Sequence, residues 1–258
     1  MVFKERFLSG VQAGFIHLLV SVLVASLLAF LVFGWWYPYP LREMVGGTEL
    51  FLLVIAVDVI CGPLLTAVIF SPAKKKWQLL LDVAIVVVIQ LVALIYGTYT
   101  VVQARPIYVV FEVDRFRVVT LADVDHKDWN KASPPWTEKP WGTPRWITIR
   151  EPIDNAEKLE SIELAIAGKD AALRPNWWNE WSADTPEAIL SRSKSISDLR
   201  KKLDIANLII LDGVLVHLQV SEDRLRSLPM TSFKTTNWVA IIDSQTAKPL
   251  AYAPVDGF

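Results

Sequence analysis

Two aspartates, Asp58 and Asp82, lie inside long apolar runs of the chain, where a charged side chain is unusual. Two carboxyl groups that share a proton can activate water, so such a pair would suit an intramembrane aspartyl protease. Measured along helices from the side of the intervening loop, Asp58 lies about 18 Å deep and Asp82 about 8 Å deep. The gap of about 10 Å disfavours a shared proton, unless a kink near Gly62-Pro63 closes it.

An acid near the middle of a membrane costs at least about 2.5 kcal/mol and usually faces a partner. One interpretation is a hydrogen bond from Asp58 to Gln90, which lies at similar depth in the next run, or a protonated Asp58. The other is that Asp58 receives a polar or positive group from another membrane segment. The sequence leaves both open.

A narrow face of small residues runs along the first apolar segment. Gly10 and Gly14 begin it, and Ser21, Ala25 and Ala29 continue it at four-residue spacing. Small residues allow helices to approach closely. The face could serve the neighbouring helices of this chain or a partner, and the sequence does not decide between them.

Other potentially reactive side chains form no recognisable catalytic pattern. The histidines His17, His126 and His217 are scattered, without the spacing of a zinc protease. The single cysteine, Cys61, excludes a disulfide within the chain and a metal site built on several cysteines. Ser193-Lys194-Ser195 is predicted on an exposed helix face, which disfavours a Ser/Lys hydrolase. We therefore expect no catalytic residues, no cofactor and no metal, and a protein that is not an enzyme.

Three apolar runs, at about 11–36, 49–70 and 78–102, each exceed the roughly 20 residues that a membrane-spanning helix needs. Backbone polar groups in hydrocarbon must be paired internally, so each run is predicted to be a helix. The first run is long and lacks a small-residue cleavage site, which favours a retained anchor over a signal peptide. The prediction is a lipid-embedded bundle of three transmembrane helices over residues 1–104.

Basic residues predict the orientation of these helices, because basic loops stay in the cytoplasm. Lys4 and Arg6 precede the first run, and three lysines at 74–76 separate the second from the third. The other short loop carries only Arg42. The amino terminus is therefore expected in the cytoplasm and residues 105–258 on the outer side. The net charge of −1 gives no reason to expect a nucleic-acid partner.

Residues 105–258 have the pattern of a small α+β domain. A hairpin is predicted from 107–113 and 116–119, turning at Asp114-Arg115, and a second from 238–243 and 250–255. A helix is predicted at 154–167, with Leu159, Ile162 and Ile166 on one face, and another from Thr185 onward to about 203. Segments 208–211 and 214–220 are predicted as strands. Eight of the tryptophans lie in this domain, where they either form the core or, at Trp177, Trp178 and Trp181, present a binding face.

Several stretches occur in an order that resembles a known family. They are the segment 51–66 around Asp58 and Gly62-Pro63, the Ala104-Arg105-Pro106 junction, the Asp114-Arg115-Phe116 segment, and the last twenty residues. In this order they resemble the type IV pilin accessory proteins of the TfpX/TfpZ type, which are inner-membrane proteins of Gram-negative bacteria. The chain departs from that pattern at Gly257-Phe258, and residues 123–226 do not match it.

The resemblance implies a non-catalytic chaperone or assembly modulator for the major type IV pilin in the inner membrane, with other pilus components as further partners. The bundle would hold the pilin helix, and the periplasmic domain would touch its head. The alternative is an intramembrane enzyme acting on pilin, a protease or glycosylation component; a membrane-anchored sensor is disfavoured by the short cytoplasmic segments. Candidate partner-binding residues are Asp58, Gly62, Pro63, Gln90, Arg105, Pro106, Asp114, Arg115, Phe116, Trp177 and Trp178.

Overall fold

The computed structural model describes residues 2–258, with side chains from Lys4 onward. The chain divides into two compact units. The membrane unit extends to Tyr37 and resumes from Gly46–Ala104, and the C-terminal domain combines Pro38–Val45 with Arg105–Phe258.

Three helices among the described residues are long and apolar enough to cross a membrane: Lys4–Trp36, Gly47–Ile69 and Lys76–Ala104. The first span is helix α1 (Val2–Leu31) followed by a π-helical turn at Val32–Trp36. The second consists of α3 (Gly47–Ala56), a π-helical segment (Val57–Cys61) and α4 (Gly62–Ile69), and the third is α5 (Lys76–Ala104). The predicted three-helix architecture is confirmed.

The small-residue face of α1 packs within the membrane unit. A Cβ atom at Gly14 would lie 2.9 Å from both the Pro63 carbonyl oxygen and the Ala67 Cβ, and one at Gly10 would overlap the Ala67 carbonyl. Because only a hydrogen occupies these positions, α1 and α4 approach each other along their backbones. This part of the face therefore serves the second span of the same chain.

The second span widens into its π-helical segment directly before Gly62-Pro63. Proline has no amide hydrogen, and in a regular helix its ring would collide with the carbonyl group four residues earlier. An inserted wide turn relieves that collision, and such turns are frequent at functional sites. Asp58 lies in this segment.

The C-terminal domain is built on one mixed sheet with the order β4-β3-β1-β2-β6-β7-β8, and β5 also pairs with β6. The β1/β3 and β2/β6 pairs are parallel, and the other pairs are antiparallel. The strands are β1 (Pro106–Glu112), β2 (Arg115–Thr120), β3 (Arg145–Ile149), β4 (Trp178–Asn179), β5 (Lys194–Ser195), β6 (Leu225–Thr231), β7 (Trp238–Asp243) and β8 (Pro249–Ala253).

Short helices surround this sheet: α2 (Leu41–Met44), α6 (His126–Trp129), α7 (Asn155–Ile166), α8 (Thr185–Arg192), α9 (Ile196–Arg200) and α10 (Ile205–Leu215). One apolar core joins α9 and α10 to the sheet through Leu199, Leu211, Leu225, Val239 and Ile241. The predicted small α+β domain is confirmed.

Residues 208–220 do not form the two predicted strands, because α10 occupies most of this segment. Asp204 caps the helix by accepting a hydrogen bond from the Asn207 amide at 2.8 Å. Asp212-Gly213, which suggested a turn, lies within the helix, where Asp212 forms an ion pair with Arg200 at 2.6 Å. The Asp204 cap and the tertiary contacts of α10 outweigh the preference of its isoleucines for β-strands.

The helix predicted from Thr185 to about 203 is interrupted. Helix α8 ends at Arg192, residues Lys194–Ser195 form β5 beside β6, and Ser195 then caps α9 through the Asp198 amide at 3.1 Å. The Ser193-Lys194-Ser195 cluster therefore pairs with the sheet rather than lying on a helix face. Arg226 Nε donates a hydrogen bond to Ser193 Oγ at 2.7 Å, which holds the residue before β5 against β6.

The first hairpin forms as predicted, but its turn is one residue earlier. Glu112 pairs with Arg115, so Val113 and Asp114 form the turn. Val113 has a φ of 56°, which is rare for a β-branched residue. The turn at the second predicted hairpin lies between β7 and β8, as expected.

The loop that joins the first two spans is part of the C-terminal domain. Ser232 Oγ donates a hydrogen bond to the Met44 carbonyl at 2.6 Å, and the rings of Tyr39 and Trp238 stack edge to face 6.4 Å apart. Leu41, Met44 and Val45 are buried there. No pattern in the sequence predicted that this loop would join the domain core.

Candidate functional site

A cleft of about 160 Å³ opens among the three spans of the membrane unit. Its polar lining comes from His17, Ser21, Asp58 and Gln90, and apolar residues including Val20 and Leu91 form its rim. Val20 and Leu91 are 56% and 51% exposed, so the cleft is open at the surface of the bundle. We call this feature the membrane cleft.

Asp58 is the acidic group of the membrane cleft and is only 8% exposed. Its Oδ1 atom is buried without a hydrogen-bond partner among the described residues. The expected bond to Gln90 forms differently: Gln90 Nε2 donates at 3.3 Å to the backbone carbonyl of Asp58 and not to the carboxyl group. Gly62 lets this amide approach, because a Cβ there would overlap the Gln90 side chain. The carboxyl group is left facing the cleft.

His17 is the member of the site that the sequence analysis missed. Its Nδ1 atom lies 2.6 Å from Thr66 Oγ1, which joins α1 to α4 beside the cleft. The signal was present, since positions 10, 14, 17 and 21 share one face of a helix of 3.6 residues per turn. His17 is the large polar residue on a face whose other members, Gly10, Gly14 and Ser21, are small.

Asp82 does not join this site. Its Oδ2 atom accepts a hydrogen bond from Lys74 Nζ at 2.5 Å, which is the geometry of an ion pair near the end of the third span. Asp58, in contrast, lies eleven residues from Gly47 and eleven from Ile69, at the middle of its span. The two acids have separate surroundings, as their depths predicted.

The junction residues Arg105 and Pro106 lie at the start of the C-terminal domain. Arg105 is 1% exposed, donates through Nη2 to the Pro140 carbonyl at 2.5 Å and stacks on the Trp141 ring at 4.8 Å. Pro106 begins β1. The buried guanidinium group therefore anchors the first strand to the segment that follows α6.

The Asp114-Arg115-Phe116 segment divides between surface and core. Arg115 forms an ion pair with Asp114 at 2.8 Å and stacks on the Phe258 ring at 4.6 Å, which ties the turn to the end of the chain. Phe116 is fully buried and packs edge to face on Trp146. Phe116 is therefore a core residue and is unable to contact a partner directly.

Trp177 and Trp178 also belong to the core, each 4% exposed. Trp178 packs edge to face against Tyr108 and Trp129, and its Nε1 donates to the Ala172 carbonyl at 2.8 Å. Trp177 is stacked by the guanidinium groups of Arg150 and Arg174. The expected aromatic binding face does not form, because in a domain without disulfides these large rings supply the burial that the fold needs.

The pKa values of Glu112 and Glu157 in the C-terminal domain are shifted in opposite directions. Burial raises the pKa of Glu112 even though the Ala172 amide donates to its Oε1 at 2.9 Å. Glu157 instead receives a bidentate hydrogen bond from Arg150 at 2.6 and 2.9 Å, which lowers its pKa to about 2. The Glu157 pair holds the start of α7 against β3 and is structural.

The amphipathic helix α7 exposes its apolar face to the surface of the domain. Leu159, Ile162 and Ile166 are 60%, 51% and 84% exposed, and Asp154 caps the helix through the Glu157 amide. The predicted helix is confirmed, but its apolar stripe lies on the surface of the domain.

Within residues 2–258, no three His, Cys, Asp or Glu side chains are grouped as a metal site would require.

The architecture is that of a membrane protein with three apolar spans and a C-terminal α/β domain on a mixed sheet. The chain belongs to the family of fimbrial assembly proteins. It is 33% identical over 240 residues to the fimbrial assembly protein of serogroup I from Dichelobacter nodosus, covering 93% of each chain.

A second relative, the serogroup E1 protein of the same organism, is 32% identical over the same share of both chains. The protein of serogroups C1 and C2 is 43% identical over 121 residues, which are 47% of this chain and 92% of the relative. The family model described as fimbrial assembly protein FimB matches residues 5–46. No solved structure matches. The resemblance inferred from the sequence motifs is confirmed.

Proposed function

We propose that this chain is a non-catalytic accessory factor of type IV pilus assembly, which holds pilin in the inner membrane before the fibre forms. The observation that carries the proposal is the similarity over 93% of the chain to a relative named a fimbrial assembly protein. That similarity extends over both units, the spans as well as the α/β domain.

The two units match the two parts of a pilin subunit that waits in a membrane as one apolar helix with a globular head. The membrane cleft offers a lateral docking position for a helix, and the C-terminal domain offers a surface for the head. Holding both parts would prevent premature aggregation and degradation of pilin. Type IV pilin is the proposed principal partner, and other pilus components are proposed as further partners.

The environments of the two acids support a binding role over proteolysis. Asp82 is engaged by Lys74, and Asp58 lies at mid-span without a second carboxyl group in the lining of its cleft. An aspartyl protease needs two carboxyl groups close enough to share a proton. Replacing Asp58 or Asp82 by Asn should therefore leave pilin processing intact, whereas accumulation of unprocessed precursor on immunoblots would favour the enzymatic alternative.

We further propose that the amino terminus is cytoplasmic and the C-terminal domain periplasmic. The distribution of lysine and arginine supports this orientation. The packing of Pro38–Val45 into the domain of Arg105–Phe258 supports the three crossings themselves, which bring those two segments to the same side of the membrane in either orientation. Alkaline phosphatase fused after Phe258 should be active, and green fluorescent protein at the same position should be dark; the reverse pattern would contradict the orientation.

The function is tested by capture of pilin in cells. A photo-crosslinking amino acid at Ile166, which is 84% exposed on α7, should trap pilin, as should one at Val20 on the rim of the membrane cleft. A matched control is Phe30, which is 82% exposed on α1 but does not line the cleft. Deletion of the chain should lower pilin levels or surface fibres. Unchanged pilin and no captured pilin would exclude the proposed role.

A further inference from the structure

The membrane cleft contains a carboxyl group that is not fully hydrogen-bonded among the described residues. Asp58 is more than nine-tenths buried, and its Oδ1 atom has no hydrogen-bond partner among residues 2–258. Buried charged groups in proteins are paired or coordinate a ligand, because an isolated one is strongly disfavoured. Asp58 is therefore protonated when the cleft is empty, or it is complemented by a group from elsewhere in the chain or from a partner.

The chain has no lysine or arginine that could supply this complement at the depth of Asp58. Residues 7–41, 43–73 and 77–104 contain neither residue type. His17 is the one basic side chain in the lining of the cleft, and its Nδ1 is engaged with Thr66. Lys74 pairs with Asp82 near the end of the third span. Within the chain, only the imidazole of His17 is close enough to interact electrostatically with Asp58, so a lysine-type or arginine-type partner for this carboxyl group must come from another molecule.

The size of the cleft limits what can enter it. Its volume is about 160 Å³, and a cavity of about 150 Å³ accommodates one benzene molecule. One side chain or chain terminus can therefore enter, but not a helix. The rim residues Val20 and Leu91 are exposed and apolar, which suits an apolar helix lying alongside the opening. The position of Asp58, eleven residues from both ends of its span, excludes a lipid headgroup at the membrane surface.

We propose that the membrane cleft binds a single protonated amine carried by a transmembrane helix of a partner, with Asp58 as its counter-ion. Ser21, which is buried in the lining, and the Gln90 side chain offer further acceptors to the ammonium hydrogens. The proposal rests on the proposed pilin-holding function for its partner and adds the chemistry that the cleft recognises. Asp58 lies in the π-helical segment Val57–Cys61, and wide turns of this kind are frequent at functional sites.

The experiment uses the full chain in lipid nanodiscs and three synthetic transmembrane peptides. The peptides are leucine-alanine helices of about 23 residues, long enough to span the bilayer, with lysine, leucine or glutamate at the central position and a fluorescent acceptor at one end. Binding is measured by energy transfer from a donor on the chain. The lysine peptide should bind at least about tenfold more tightly than the leucine peptide, and the glutamate peptide should bind least.

Two substitutions of acidic residues test whether Asp58 is the group that makes the lysine peptide bind more tightly. Asp58→Asn should abolish the advantage of the lysine peptide, whereas Asp82→Asn, which removes the aspartate of the third span, should retain it. Ser21→Leu fills the cleft without changing its charge and should also weaken binding of the lysine peptide. Each variant is checked for an unchanged helical circular dichroism spectrum and a monodisperse elution, so that loss of binding is separated from misfolding.

Equal binding of the lysine and leucine peptides, or a preference that survives Asp58→Asn, would overturn the inference. Its failure is distinguishable from failure of the proposed function. Capture of pilin from Ile166 together with equal peptide binding would leave the pilin-holding function intact and remove the amine site. A clear lysine preference without any capture of pilin would retain the amine site and remove pilin as its source.

Discussion

His17 and Thr66 are 49 residues apart in sequence, yet the Nδ1 atom of one lies 2.6 Å from the Oγ1 atom of the other. This contact is a side-chain hydrogen bond between the first and second spans, beside the membrane cleft. Hydrogen bonds between membrane helices contribute about 0.6 kcal/mol on average and up to about 1.7 kcal/mol. Its removal should therefore weaken the bundle measurably without abolishing the fold.

Thr66→Val replaces the hydroxyl group by a methyl group of similar size, and Thr66→Ser retains the hydroxyl. We expect Thr66→Val to lower the free energy of unfolding by about 0.6 to 1.7 kcal/mol and Thr66→Ser to lower it less. Titration of the micelle-bound protein with sodium dodecyl sulfate measures both values. Equal losses in the two variants would show that the hydroxyl group contributes nothing.

A second prediction concerns the close approach of α1 and α4 at Gly14. A valine there would place carbon atoms within the contact distance of the Pro63 carbonyl and Ala67, because a Cβ alone would already lie 2.9 Å from each. We expect Gly14→Val to separate the two helices and to lower the midpoint of denaturation. Gly34→Ala is the control, since a Cβ added at Gly34 would meet nothing within 4 Å. A comparable midpoint for Gly14→Val and the control would contradict the packing.

The sequence predicted the membrane spans well, because the apolar run of a spanning helix is dictated by the hydrocarbon and needs no knowledge of tertiary structure. It predicted the β1/β2 and β7/β8 hairpins for a similar reason, as both are local. It missed β6, which carries Pro229 yet pairs with β2, β5 and β7. The place of β6 in the sheet depends on distant partners that a local pattern does not contain.

The candidate site residues also divide into those that the local sequence reveals and those whose role depends on tertiary packing. Asp58 stood out from the sequence because an acid in an apolar run is costly wherever it points. The contact between His17 and Thr66 and the engagement of Gln90 with a backbone carbonyl depend on how the spans pack. The burial of Trp177 and Trp178 likewise follows from the sheet around them.

A third prediction concerns Trp178, at the centre of the aromatic cluster with Tyr108 and Trp129. Trp178→Ala should destabilise the C-terminal domain by about 3 to 5 kcal/mol, the usual cost of removing a buried aromatic ring. Trp178→Phe should cost less, because it keeps a ring but loses the bond to the Ala172 carbonyl. Phe233→Ala, at a 56% exposed position, is the control for urea denaturation. A loss no larger than that of the control would exclude a core role.

A fourth prediction concerns the stability of the C-terminal domain at acidic pH. Arg150 lowers the pKa of Glu157 to about 2 from an ordinary value of 4.5. Because the folded state binds this proton less readily than the unfolded state, the Glu157 contribution is fully present above about pH 4.5 and is lost as the pH falls toward about 2. Glu157→Gln should remove this part of the pH dependence of unfolding.

The control for Glu157 is Asp243→Asn, which removes a different carboxyl group with a lowered pKa. That group is held by the Gln245 and Thr246 amides and lies in β7, toward the other end of the sheet order. Urea denaturation monitored by fluorescence, from about pH 2 to about pH 6, measures the stability of each variant across the titration of the carboxyl groups. If Glu157→Gln retains the full acid sensitivity of the parent, the Arg150 pair does not control it.

The last prediction concerns the loop Pro38–Val45, which the C-terminal domain holds through the bond from Ser232 Oγ to the Met44 carbonyl at 2.6 Å. Ser232→Ala leaves this carbonyl without its donor in a buried position, because Met44 itself has no exposed surface. Leaving a buried acceptor unpaired costs about 1 to 3 kcal/mol. That cost should appear locally, as faster amide hydrogen exchange in residues 38–45, since local opening is governed by local contacts. Ser191→Ala, which removes an exposed hydroxyl bonded within α8, should leave exchange in the loop unchanged. Equal exchange in the parent and in Ser232→Ala would mean that the apolar burial of Leu41 and Met44, rather than this hydrogen bond, fixes the loop to the domain.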